Sequence, residues 1–392
     1  MRPLSFQFFV YFAVLGCVVP YFTVYLVEWR GLTAAQTGLL YGFHGLSVLV
    51  SPVVLTLFAD TKAANRMLIG GCFGVSAVGM TALLVGPGVV SVVVGYAVFR
   101  MAFSPIASLE DGLAFAEQHD RAERGLAVTP YHATRVWGTY GFLAGSMSIY
   151  AALAWGWPIA VATGAAAAWC GLGLIHAWRL PAFAEARDEA SEALPTLDAA
   201  RRLMTPRLLG FCGAMLLLML GASSYYAFYP LWLVRDAGIA EKWIGVIAAA
   251  GVLMEIGPML GFRWLVRRIG VRLLLMGTVA VTAGRFAWLV ADASVWTAWG
   301  NQALHGTMVL AVHVIAPVYL NHHAEPSYRS SMQGVYSMAV LGVGAVIGPA
   351  IAGWIATAWS LQAVFVYATA VTVLAGVLMG VSVDRRGDRE VG

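Results

Sequence analysis

Charge is what this chain has least of. Asp, Glu, Lys and Arg make up only 11% of its 392 residues, against about a quarter in soluble domains. A chain so poor in charge cannot clothe itself in a water-facing surface. Cysteine is nearly as scarce: Cys17, Cys72, Cys170 and Cys212 lie in apolar runs without metal-like spacing. That excludes a disulfide framework and a thiolate metal site, leaving the four as small packing residues. No nucleophile constellation, metal-ligand pair or acidic repeat is present, and the nearest approach, His322-His323, reads as polar loop. An enzyme is not expected, and neither a cofactor nor a metal is implied. Short segments of alternating polarity are missing too, which argues against a membrane β-barrel.

What is present is apolar sequence in long runs. With 60% hydrophobic residues and a mean hydropathy of +0.77, the chain reads as a polytopic membrane protein. A helix needs about 20 apolar residues to cross a bilayer core. Twelve segments qualify, at roughly 4–27, 36–58, 66–85, 88–112, 131–153, 158–178, 207–232, 242–262, 272–291, 295–318, 330–352 and 361–382. Val14-Leu15-Gly16-Cys17 faintly resembles a lipoprotein cleavage box, but cleavage there would cut the first span, so 4–27 reads as an uncleaved helix. The fold class expected is all-α, with 12 transmembrane helices in two pseudo-symmetric six-helix bundles.

The arginines give the direction. With both termini cytoplasmic, 18 of the 24 Lys and Arg fall in inner loops and tails, while only Arg30, Arg235 and Lys242 fall outside. This asymmetry is the positive-inside pattern, and it predicts a cell (inner) membrane protein. The net charge of +4 follows from that topology, so no nucleic-acid partner is implied.

The chain is also written twice. Gly31-Leu32 and Gly38-Leu39 after the first span recur as Gly238-Ile239 and Gly245-Val246 after the seventh, at a constant offset of 207. Repetition at this scale predicts two parallel halves, with a transport site at the midplane. The expected organisation is an N-terminal bundle over 1–180, a cytoplasmic linker over 181–206, a C-terminal bundle over 207–384 and a tail over 385–392. The linker's charges read as a solvated face.

Ionisable residues inside spans are expensive and functional by default. The eighth span carries one, Glu255, amid KWIGVIAAAGVLMEIGPMLGF. Others are Arg100, Glu110 and Asp111 in the fourth, Arg135 in the fifth, Arg285 in the ninth, and His305 and His313 in the tenth. Asp111 and Arg135, at the inner ends of consecutive helices, are expected to pair, the arginine fork holding the carboxylate. Arg100 and Asp111 share a helix face, whereas Glu110 is turned about 100° away and reads as a structural or headgroup-level carboxylate. Glu255 is expected to find its partners in Arg285 and His305. His305 and His313 stand about 80° round and roughly 12 Å along the helix from one another, too far apart to serve one point. The repeat favours His305, since Gly300 and His305 lie 205 residues beyond Gly95 and Arg100. A buried set of Glu, Arg and His suits proton coupling, because a nearby arginine shifts a carboxylate's affinity for its proton. Tyr21 in the first span, and Tyr225 and Tyr226 in the seventh, are aromatics that would shape a solute cavity.

Two inner loops, Asp60-Thr61-Lys62 with Arg66 and Gly261 with Arg267, Arg268 and Gly270, resemble the acidic-basic gating loop of the major facilitator superfamily. A wider set extends the resemblance. Phe103-Ser104-Pro105 with Asp111-Gly112-Leu113, Arg135-Val136-Trp137-Gly138-Thr139, Gly284-Arg285, Leu304-His305-Gly306-Thr307 and Gln333-Gly334-Val335-Tyr336-Ser337 are similar to the phenylpropionate permease branch of that superfamily. More distantly the pattern resembles the nucleoside–proton symporters and lactose permease. His132 departs from the branch, which usually has glycine there. The resemblance implies a secondary active transporter, a proton symporter taking up a small organic solute such as an aromatic carboxylate by alternating access. A nucleoside or sugar symporter and a proton-driven exporter are the alternatives. Substrate contact would fall to Asp111, Arg135, Arg100, Tyr225, Tyr226 and Tyr21, and proton coupling to Glu255, Arg285, His305 and His313. Gating would fall to Asp60, Arg66, Arg267 and Arg268. The implied partners are the solute, protons and the lipid bilayer, around a monomer.

Overall fold

Lipid offers the backbone no hydrogen-bond partners, so a chain with these apolar runs satisfies its backbone within helices. The computed structural model describes residues 2–59, 65–181, 201–324 and 329–383, and no strand occurs among them. Helices follow one another at each of the twelve expected spans. The first span is α1 (Pro3–Val18) and α2 (Phe22–Trp29), bent by 44°. Then come α3 (Ala34–Ala59), α4 (Asn65–Val85), α5 (Gly88–Glu123), α6 (Tyr131–Ala154) and α7 (Val161–Ala177). After the linker, of which residues 182–200 lie outside the described ones, come α8 (Pro206–Arg235), α9 (Ile244–Met254), α10 (Ile256–Ile269) and α11 (Val271–Ala291). The tenth span is α12 (Val295–Ala303), α13 (His305–Leu310), a π turn (Ala311–Ile315) and α14 (Ala316–His323). The last two spans are α15 (Arg329–Tyr336) leading through a π turn (Ser337–Gly342) into α16 (Val343–Ala358), and α17 (Leu361–Ser382).

The helices depart from expectation at three points. α5 runs on to Glu123, past the apolar run. Its extra turns carry i,i+4 pairs, His119–Glu123 at 3.2 Å and Asp120–Arg124 at 2.7 Å, of the kind that supports a helix in water. The eighth and tenth spans are broken, at Glu255 and at Leu304.

The internal repeat survives in atomic detail. Gly31 and Gly238 both take a left-handed backbone, φ 69° and 64°, a conformation that glycine alone adopts without strain. Each closes its helix with the same pair of bonds. Arg30 N–H donates to Tyr25 O and Leu32 N–H to Leu26 O, both at 3.0 Å. Ala237 N–H donates to Trp232 O at 3.0 Å and Ile239 N–H to Leu233 O at 2.8 Å. All four positions obey the offset of 207.

The chain divides into two compact units. One comprises residues 1–32, 47–189 and 240–249; the other comprises 33–46, 190–239 and 250–392. Within the first, α1 lies backbone to backbone on α6. A Cβ at Gly141 would collide with Phe9 O, one at Gly145 with Ala13 O and one at Gly16 with Phe142 O, the small-residue packing expected between helices in lipid. Within the second, the outer part of α3 meets α16 in the same way. A Cβ at Gly38 would collide with Pro349 O, and one at Gly45 would come within 2.7 Å of Gly342 O. The core of the second unit runs from Leu208 and Phe211 through Leu275 and Ile315 to Met379, all buried.

Candidate functional site

Ionisable side chains gather in two places, one in each unit. In the second, the two broken helices bring them together. A Cβ on Gly306 would lie 2.5 Å from Met254 O and 3.0 Å from Glu255 Cα, and one on Gly251 would run into Gln302 and come within 3.3 Å of His305 Cγ. Only glycine at these two positions lets the tenth span approach the break at Glu255. The result is a contact of 3.3 Å between Glu255 Oε1 and His305 Nε2, with the Glu255 side chain 22% exposed and that of His305 9%.

His305 is gripped from its other side by Arg285. Arg285 Nη2 lies 3.4 Å from His305 Nδ1. Guanidinium groups only donate, so Nδ1 is the acceptor and the ring proton sits on Nε2. That proton is shared by Glu255 and by the Tyr226 hydroxyl, 3.3 Å from Nε2. Glu255, His305 and Arg285 therefore form a chain in which the histidine stands between carboxylate and guanidinium.

Arg285 is fully buried, and a buried charge must be compensated. Asn301 Oδ1 accepts from its Nε at 3.1 Å and its Nη2 at 2.8 Å, while Asn301 Nδ2 donates back to Arg285 O at 2.7 Å. The Tyr225 hydroxyl accepts from Nη2 at 2.9 Å and from Gln302 Nε2 at 3.1 Å. The Tyr225 ring lies 4.7 Å beneath the guanidinium carbon, a cation–π contact. Only Nη1 is left without a hydrogen bond.

The expectations for this unit are met unevenly. Glu255, His305 and Arg285 come together, but Arg285 reaches Glu255 only through His305. His313 stands in the π turn, exposed and without a hydrogen bond among the described residues. Tyr225 is buried beneath Arg285, which corrects its expected place on an open solute surface, whereas Tyr226 is 38% exposed. Asn301 and Gln302 escaped the sequence reading, although two adjacent amides in an apolar span were a signal. Arg267 and Arg268 are exposed in the last turn of α10 and make no ion pair among the described residues. Asp60 lies outside the described residues, and Arg66, in the first turn of α4, has a buried Nε without a hydrogen bond.

In the first unit the expected Asp111–Arg135 fork is not formed. Asp111 Oδ1 instead accepts from the Tyr131 hydroxyl at 2.6 Å. The Arg135 guanidinium lies over the Phe12 ring at 4.1 Å and near Phe8 at 5.5 Å. Tyr131 opens α6 and meets the acid first, while the aromatic faces of α1 satisfy the arginine's π-cation preference. Arg100 is buried, 6.0 Å from the Phe99 centroid. Tyr21 is fully buried, its hydroxyl accepting from Gly245 N–H at 3.2 Å and donating to Ser146 O at 3.4 Å. It therefore packs the unit rather than lining open space. Glu110 is completely buried.

Comparison with known proteins gives the family and the fold. Residues 1–368 match the model of the MFS_1 like family. Xanthosine permease of Escherichia coli (strain K12) is 23% identical over 381 residues, covering 90% of this chain and 87% of its own. Maltose permease of Geobacillus stearothermophilus is 24% identical over 386 residues, covering 95% and 92%. The crystal structure of nucleoside transporter NupG superposes with a TM-score of 0.86 at 17% identity, covering 97% of this chain and 98% of that one, a likeness of fold.

Proposed function

The chain belongs to the MFS_1 like family and is a multi-pass membrane transporter, not an enzyme; from that premise we propose that it is a proton symporter for an uncharged, ring-bearing solute of the nucleoside or sugar class. The observation that carries this reading is the chain Glu255–His305–Arg285, in which only the acid end is open. His305 holds one tautomer against Arg285, so Glu255 is the group left to take up and release the proton. Tyr226, sharing the Nε2 proton and partly exposed, lets a solute hydroxyl or ring nitrogen compete for that hydrogen bond, which links solute to proton. Each proton moving down about 100 mV supplies roughly 2.3 kcal/mol for the uptake.

An uncharged solute is favoured because Arg285 is sealed and committed to Asn301, Tyr225 and His305. An anion approaching this cluster would meet the Glu255 carboxylate first. Relatives named for xanthosine, maltose and nucleosides agree with that, and none of them is a phenylpropionate permease. The aromatic carboxylate keeps one specific observation in its favour. Arg135 is half-buried on an aromatic stack with no carboxylate paired to it. Asp111, Arg135 and Arg100 are accordingly proposed as the first unit's solute contacts, with Tyr226 in the second. Arg66, Arg267 and Arg268 are kept as gating residues on the inner side, and the arginine distribution supports cytoplasmic termini.

Uptake of labelled nucleosides, sugars and phenylpropionate into vesicles holding the purified protein tests the choice. Accumulation of a nucleoside or sugar that collapses with the proton gradient is the expected result. Accumulation of phenylpropionate alone would transfer the site to Arg135, and gradient-driven extrusion would make the protein an exporter.

A further inference from the structure

Glu110 is the one acid among the described residues that is completely buried, and neither of its carboxylate oxygens has a hydrogen-bond partner. The groups around it can be named. α1 contributes Tyr11, whose ring stacks on Phe103 at 4.6 Å. α6 contributes Arg135, held 4.1 Å over Phe12 instead of reaching the acid. Its own helix, α5, contributes Asp111, engaged by Tyr131. On α4, the antiparallel register set by Phe73 against Phe103 puts Arg66 about level with Glu110. Two cations are thus nearby, yet neither bonds the carboxylate.

An anion sealed from water with no donor on either oxygen is far costlier than the neutral acid. We propose that Glu110 is a second proton-binding site, housed in the first unit and separate from the Glu255–His305 pair. A proton from water adds to one carboxylate oxygen and makes the acid neutral, which explains how Arg135 can rest on phenylalanine rings with a carboxyl group so near. The proton returns to water when a neighbouring guanidinium swings across to Glu110. The proposal goes beyond the transport reading and stands without it, since a bound proton can be sought with no solute present.

Infrared difference spectroscopy of the full chain in lipid vesicles tests it directly. At neutral pH the wild type should show a carboxylic-acid carbonyl band that shifts in heavy water, is lost in Glu110→Gln and persists in Glu255→Gln. The amide reproduces the neutral acid in shape and charge, so Glu110→Gln should also fold with an unchanged melting temperature. A band of equal intensity in Glu110→Gln would overturn the proposal. So would failure of that variant to fold, because the site would then require the anion.

Discussion

At the scale of single residues, the account rests on how one buried guanidinium is held. Arg285 has no water to fall back on, and Asn301 supplies its main acceptor twice over. Removing that acceptor leaves a charged donor unsatisfied, a loss of about 1.5–3 kcal/mol for a hydrogen bond to a charged group. Asn301→Ala should therefore lower the thermal unfolding midpoint in detergent, and should loosen the aim of Arg285 at His305 so that uptake loses its normal pH profile. Unchanged stability would mean Arg285 finds other partners. The sequence made Glu255, Arg285 and His305 legible because ionisable groups are rare in lipid-spanning segments. Asn301 and Gln302 stayed hidden because a neutral amide stands out less there. The Asp111–Arg135 pair failed for a different reason. Sequence shows which charges are near one another but does not rank a carboxylate against the rings of Phe8 and Phe12 as partners for an arginine.

At the scale of elements, glycine decides which helices touch. α1 and α6 meet through Gly16, Gly141 and Gly145, and overpacking such a contact costs typically 1–3 kcal/mol. Gly141→Val should lower the unfolding midpoint, while the same change at Gly112, which has open space around it, should not. Gly31 and Gly238 were visible in the sequence as a repeat, though their shared left-handed geometry was not, since spacing says nothing about φ. Outside the membrane, burial pushes the Glu241 carboxyl up, and the nearby Glu28 adds to the effect. A raised folded-state value means the folded state holds the proton more tightly. Its penalty is absent in acid and grows as pH rises from the ordinary carboxylate range through the folded value. Glu241→Gln should therefore raise the melting temperature at neutral pH and leave it unchanged in acid; the reverse order would show that burial does not govern this group.

At the scale of the whole molecule, the apolar runs, the placement of arginine and the offset of 207 carried the twelve-helix plan, while the family was legible only through the resemblance of the loop and span motifs. Less legible were the breaks at Glu255 and Leu304, although Gly257-Pro258, whose proline cannot donate to the Met254 carbonyl, and Gly306 were signals for them. The breaks matter because they set the acid against the histidine. The central claim is that the proton that drives uptake binds at Glu255. Solute uptake into vesicles under an imposed proton gradient, compared between wild type and Glu255→Gln, tests it most directly when exchange of labelled for unlabelled solute is measured alongside. The account predicts that Glu255→Gln retains exchange and loses all gradient-driven accumulation. Accumulation that remains fully gradient-driven in the variant would contradict it.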